Sequence, residues 1–204
     1  MQIEVCRMAR AAGLSLVIIT SAAIAQDTVR VRGTIDHMDG PIYVVKTRDG
    51  TELRVGLAAN APVVALTKAS LADITQGSFV GVTAMPQTDG SQRAVEVHIF
   101  PEAMRGTGEG HRPWDLMPKS TMTNANVEQA VNGVDGRTLT LKYKDGEKKI
   151  FVPAEAAIVT YTPGHKSDLK PGVKIFISAA TKQPDGSLQA ARINFGKDGL
   201  TPPM

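Results

Sequence analysis

The chain has 204 residues, with 23 lysines and arginines against 20 aspartates and glutamates, a net charge of +3, and only 4% aromatic residues. It has no dense basic block and no basic stripe interleaved with aromatics, which argues against a nucleic-acid-binding protein. The single cysteine, Cys6, lies close to the start, so thiol catalysis, disulfides and cysteine-based metal or haem sites are excluded from everything that follows it.

Residues 1–25 read as a signal peptide. Arg7 and Arg10 supply the positive start, residues 11–19 the apolar stretch, and Ala23-Ile24-Ala25 a small-residue cleavage site before Gln26. The apolar run is about half the length of a spanning helix, and no later stretch reaches the roughly 20 apolar residues a span needs. Cys6 precedes the apolar stretch, which is the wrong place for a lipoprotein anchor. These features predict export, with cleavage after Ala25, to the periplasm or beyond.

After residue 26 the turn signals recur. Asp39-Gly40 returns as Asp135-Gly136, Asp49-Gly50 as Asp145-Gly146, and Asp89-Gly90 as Asp185-Gly186, each at an offset of 96 residues. Leu71-Ala72-Asp73-Ile74-Thr75-Gln76-Gly77 matches Lys166-Ser167-Asp168-Leu169-Lys170-Pro171-Gly172 at an offset of 95. Three Asp-Gly pairs in register, with a shared Asp-apolar-x-x-Gly between them, predict a duplication. Asp-Gly between apolar runs marks hairpins. The first module (26–100) is expected to hold strands near 28–35, 42–47, 51–55, 63–66, 79–84 and 93–100. The second (127–204) repeats them near 127–131, 137–143, 148–152, 158–160, 174–180 and 188–195.

One helical turn is predicted in each module, with Ser70 and Ser167 as N-caps and Gly77 and Gly172 as stops. Asp73 and Asp168 then read as turn-forming aspartates. The expected fold is all-β: two tandem small OB-like β-barrels, each of about five strands plus the helical turn, joined by an ordered irregular segment. A five- or six-stranded sandwich is the alternative for each module.

Residues 101–126 have no counterpart in the repeat. Their three prolines and three glycines exclude one regular element. They also carry the only tryptophan, Trp114, with Met104, Leu116, Met117 and Met122, and a linker so rich in anchors is expected to be ordered. The run from Glu96 to Asp115, Ser120-Thr121-Met122-Thr123-Asn124-Ala125, the stretch 68–74 and the closing Asp198-Gly199-Leu200-Thr201-Pro202-Pro203-Met204 resemble a family of small exported bacterial proteins. The resemblance covers nearly all of the chain after the signal peptide. It implies duplicated β-barrel modules of a domain of unknown function. Some members carry the label "metal ABC transporter permease", whose permease part does not fit a chain without spans.

Several chemistries compete for the central segment. His98, Met104 and His111, with Met117 and Met122 near them, are residue types that suit Cu(I). Glu96, Glu102, Glu109 and Asp115 offer harder donors for zinc. No defined ligand spacing is present, and His98 alternates with inward-facing Val97 and Ile99, so it is expected to point outward with Glu96. His37 and His165 stand alone in turns. His111, Asp115 and Ser120 are the residue types of a hydrolytic triad without its motifs, and Gly106-Thr107-Gly108-Glu109-Gly110 lacks the residues of a phosphate loop. The expectation is a protein that is not an enzyme and carries no cofactor, unless copper or zinc binds. It would bind an unknown protein or small ligand in the periplasm through Arg105, Glu109, His111, Arg112, Trp114 and Asp115. The competing reading is that this segment only cements the two modules.

Overall fold

A computed structural model describes residues 27–204; the expected signal peptide lies outside the described residues. Among these, no helix is long and apolar enough to cross a membrane. The fold is all-β. The first half supplies β1 (Thr28–Asp39), β2 (Ile42–Thr47), β3 (Glu52–Leu57), β4 (Val63–Lys68), β5 (Phe79–Pro86) and β6 (Gln92–Ile99). A short β7 (Gly110–Pro113) follows. The second half supplies β8 (Thr121–Asn132), β9 (Gly136–Tyr143), β10 (Gly146–Pro153), β11 (Ala157–Pro163), β12 (Lys174–Lys182), β13 (Leu188–Ala190) and β14 (Ile193–Gly196). The strands begin and end close to where alternation and turn residues place them. β8 starts earlier, so Thr121 to Asn126 belong to a strand and not to the connecting segment.

Local chemistry sets the turns. Asp89 accepts hydrogen bonds from the Ser91 backbone N–H at 3.0 Å and its hydroxyl at 2.7 Å, and Asp185 does the same for Ser187 at the same distances. Gly90 and Gly186 both have φ of 82°, a left-handed conformation that glycine adopts without steric cost. The helical turns span Leu71–Asp73 and Lys166–Asp168. Asp73 accepts from the Ser70 backbone N–H at 2.7 Å, and Asp168 from that of His165 at 2.8 Å. The second N-cap is therefore His165, not the expected Ser167. Both aspartates are turn builders.

The pairings close five-strand rings, but not along the expected boundaries. One closed barrel runs β1–β2–β3–β13–β12 and back to β1. A second cycle runs β5–β8–β9–β10–β6 and back to β5. The tandem arrangement, with one barrel per module, is thus corrected: each ring takes three strands from one half and two from the other. Alternation reports which face of a strand is buried and is silent about which neighbour buries it.

β4 and β11 lie between the rings and pair antiparallel, with Leu66 opposite Tyr161. Parallel ladders β14–β4 and β6–β11 join this pair to both rings. Val31, Ile35, Val45, Val55 and Ile177 fill the first ring; Val80, Val82, Val97, Leu139 and Ile150 fill the second. A third cluster of Leu66, Val159, Phe176 and Met204, with Trp114 and Tyr161 against it, sits outside both rings. Burial of that outer face puts the rings in contact and creates the site below.

Because β1–β12, β3–β13, β4–β11, β5–β8 and β6–β10 all cross between the halves, covalent continuity at residues 106–108 contributes little to their association. Cleavage at an engineered protease site there is expected to leave the fragments eluting together at the intact mass in gel filtration, separating only in denaturant. Separate elution without denaturant would contradict the exchanged pairing.

Candidate functional site

A bulge at Val95, where the β5 register jumps from Thr83–Glu96 to Ala84–Ala94, breaks the alternation of β6, so Ala94 and Val97 both enter the second ring while Glu96 and His98 lie on its outer face. That outer face is covered, so Glu96 is 0% exposed and His98 3% exposed. The expectation of two solvent-facing side chains is corrected: Thr83 and Gly81 of β5, Phe100, and Tyr161 of β11 pack against them. Glu96 accepts a short hydrogen bond from the Thr83 hydroxyl and lies 3.3 Å from His98 Nδ1. The His98 ring meets Phe100 edge-on at 4.8 Å and Tyr161 at 5.7 Å. Its Nε2 abuts Gly81, where an added Cβ would come within 1.9 Å of that nitrogen. His98 Nδ1 is therefore paired with Glu96, and Gly81 has no room for a side chain beside the ring. Burial pushes the Tyr161 phenol up, with the Glu96 carboxylate adding to the rise and Arg192 opposing it.

Beside this cluster, between the rings, is a cavity of about 170 Å³. The second ring contributes His98, Met122 and Asn124; the first contributes Phe176, and β14 with the link before it adds Asn194 and Arg192. The central segment closes it with Met104, Arg112 and Trp114, and the chain end adds Met204. Three buried polar atoms have no hydrogen-bond partner among the described residues: Trp114 Nε1, Asn124 Oδ1 and Asn194 Oδ1. All three residues line this cavity. The amide orientations are fixed, because Asn124 Nδ2 donates to the Thr107 carbonyl at 2.9 Å and Asn194 Nδ2 to the Phe176 carbonyl at 3.3 Å. A larger depression of about 760 Å³ near Lys170, Lys174 and Lys197 holds none of these orphaned atoms, and its lysines are solvated.

The central segment docks on both rings. β7 pairs with β8 in the second ring. Trp114 lies under the Arg30 guanidinium at 4.1 Å and near that of Arg112 at 5.6 Å, distances at which the ring face attracts a cation. Asp115 accepts from Arg32 at 2.7 Å and pairs with Arg30 at 3.3 Å. The hydrogen bond from Arg32, reinforced by the charges of Arg32 and Arg30, holds the Asp115 carboxyl below its ordinary value against a smaller upward push from burial.

The sequence-singled residues divide accordingly. Arg112 and Trp114 line the cavity, and so do His98 and Met104. Arg105 is spent on Glu102, Asn126 and the Gly77 carbonyl, and Glu109 accepts from the Lys144 backbone at 3.0 Å. His111 faces away from the cavity and shares a 2.8 Å hydrogen bond with Thr123. Burial, with Lys148 and Arg112 nearby, holds its pKa below the ordinary imidazole value, so it stays neutral at neutral pH. The trio His98, Met104 and His111 is thus not assembled. Among the described residues no three His, Cys, Asp or Glu side chains gather as a metal site. Asn124, Asn194 and Arg192 went unnoticed in the sequence, since nothing local marks an asparagine in a strand as buried.

No protein-family model, curated protein or solved structure matches the chain.

Replacing Trp114 with alanine removes a ring that touches both halves. We expect a loss of about 3 kcal/mol in urea unfolding; a loss within about 0.5 kcal/mol, the range of ordinary surface substitutions, would show that the segment's docking carries little stability.

Proposed function

We propose that this is an exported, non-enzymatic binding protein of the periplasm, and that its ligand site is the cavity between the two rings. One observation carries the reading: three residues that each hold a buried, unpartnered polar atom line the same cavity. Leaving one such group unsatisfied costs about 1–3 kcal/mol. Three together approach the stability of a whole domain, so they favour a small polar occupant. The solvent-facing residues of the central segment fit a protein partner less well, because Arg105, Glu109 and Asp115 are spent on contacts within the chain.

We also propose that the two halves are diverged copies with OB-like rings. The strand order supports this: each ring closes through one parallel pair, β3–β13 or β6–β10. So does the register, since Val97 opposite Ile158 in β6–β11 matches Ile193 opposite Val63 in β14–β4, with each partner displaced by 96 or 95 positions. By that correspondence Glu96 matches Arg192, His98 matches Asn194, and Gly81 matches Phe176.

Ser178 is exposed and lines the cavity, so Ser178→Phe would obstruct the mouth without disturbing either core. In thermal-shift measurements against small polar metabolites, we expect at least one chemical class to raise the Tm of the native protein and none to do so for Ser178→Phe. A panel that shifts neither protein would overturn the cavity as a ligand site.

A second reading, copper binding, rests on Met104, Met122 and Met204 lining the same cavity, since thioethers suit Cu(I). Under it, calorimetric titration with Cu(I) gives stoichiometric binding that is lost in Met104→Leu/Met122→Leu and unchanged in His111→Ala. Absence of binding, or equal loss in the His111 variant, removes it.

A further inference from the structure

We propose that the inter-ring cavity takes a small organic anion: a short-chain carboxylate carrying an O–H or N–H donor next to the carboxyl group. The proposal rests on the cavity being the ligand site and adds the chemistry of what enters it.

The positive side comes from Arg112, Arg192 and Trp114. Among the described residues, neither Arg112 nor Arg192 forms an ion pair with a carboxylate, whereas Arg30 and Arg32 both pair with Asp115. Arg112 is half-buried, and its one hydrogen bond goes to the Gly108 carbonyl at 2.8 Å. Burial and the nearby Arg30 charge both work against its cation. Among the described residues no acidic side chain lines the cavity, and Glu96, next to His98, is occupied by Thr83 and His98. Two uncompensated guanidiniums and an indole N–H without an acceptor call for an anion with acceptor oxygens.

The acceptor side comes from the asparagines. With both Nδ2 groups donating to backbone carbonyls, the free atoms at Asn124 and Asn194 are carbonyl oxygens. These require donors, so a bare inorganic anion leaves them unmet, while a hydroxy or amino acid serves them. The volume of about 170 Å³ corresponds to roughly six waters, enough for a molecule of two to four carbons. The thioethers of Met104, Met122 and Met204 and the ring of Phe176 accept its short apolar part.

Trp114 is the only tryptophan, so its fluorescence reports the cavity directly. Three probes separate the requirements: lactate, propanoate without the hydroxyl, and lactamide without the charge. Titrations read by Trp114 fluorescence and by calorimetry are expected to give saturable binding of lactate. Propanoate and lactamide should each bind about tenfold or more weakly, the effect of losing one charge-assisted or buried hydrogen bond. Arg192→Gln should weaken lactate by a similar factor, while Arg192→Lys, which keeps the charge, recovers part of it; circular dichroism checks that both variants fold. Lactamide binding as tightly as lactate, or Arg192→Gln binding lactate undiminished, overturns the anion assignment and leaves the cavity as a ligand site. No saturable signal from lactate up to roughly 10 mM, a concentration beyond the weakest specific affinities, also overturns it. The thermal-shift comparison with Ser178→Phe then decides separately whether the cavity binds anything.

Discussion

The antiparallel pair β4–β11 is the constraint on which the molecule is organised. Each of these strands leaves one ring and leads, through a helical turn fixed by Asp73 or Asp168, to a strand of the other. Once Leu66 stands opposite Tyr161, the parallel ladders on either side place β14 beside β4 and β6 beside β11. The two rings are then held at one separation by backbone hydrogen bonds. A slip of one residue in the central pair would turn Leu66 and Val159 out of their shared cluster and bring polar neighbours in.

Much of this was legible in the sequence, and the exchange was not, for one reason. Strand positions follow from alternation and turn chemistry, and both are local. Closure within one half or across two halves uses the same strands, the same alternation and the same turns. The deciding quantity is the geometry of the chain between β3 and β5, and no residue there carries a local signal for it. The Asp-Gly repeats illustrate the same limit. Asp89-Gly90 and Asp185-Gly186 build matching turns. Asp39-Gly40 and Asp135-Gly136 do not: Gly40 lies in the turn after β1, while Gly136 already belongs to β9 and pairs with Pro153 of β10. Extra residues in the second hairpin shift the register there, and a constant sequence offset conceals the shift.

The site was legible in part for a related reason. Trp114 announced itself as an anchor because a tryptophan in a Gly- and Pro-rich stretch has few other uses, and it does bridge the halves. His98 was recognisable as a functional residue type, but its burial depends on neighbours beyond its own strand, Phe100 and Tyr161 of β11 among them. Asn124 and Asn194 carry no mark at all. A strand asparagine on an outer face reads as solvated, and it becomes a buried, half-satisfied acceptor only when another sheet is laid over it.

The proposed duplication makes the asymmetry of the cavity informative. Two identical copies related through β4–β11 would present identical groups from both sides, and such a site suits a symmetric ligand. Here the matched positions differ in charge and in volume: Glu96 against Arg192, His98 against Asn194, Gly81 against Phe176. Gly81 permits the His98 ring to lie against the backbone, which keeps that half of the interface compact and ties up the imidazole and Glu96 together. Phe176 fills the corresponding space in the other half and meets the Arg32 guanidinium at 5.0 Å. Arg192 retains no such carboxylate partner among the described residues. One half therefore pairs its ionisable groups with each other, while Arg192 in the other half stands without a carboxylate among the described residues. An occupant with a charged end and an apolar end has one favoured orientation in such a cavity, which a symmetric pair of half-sites could not impose.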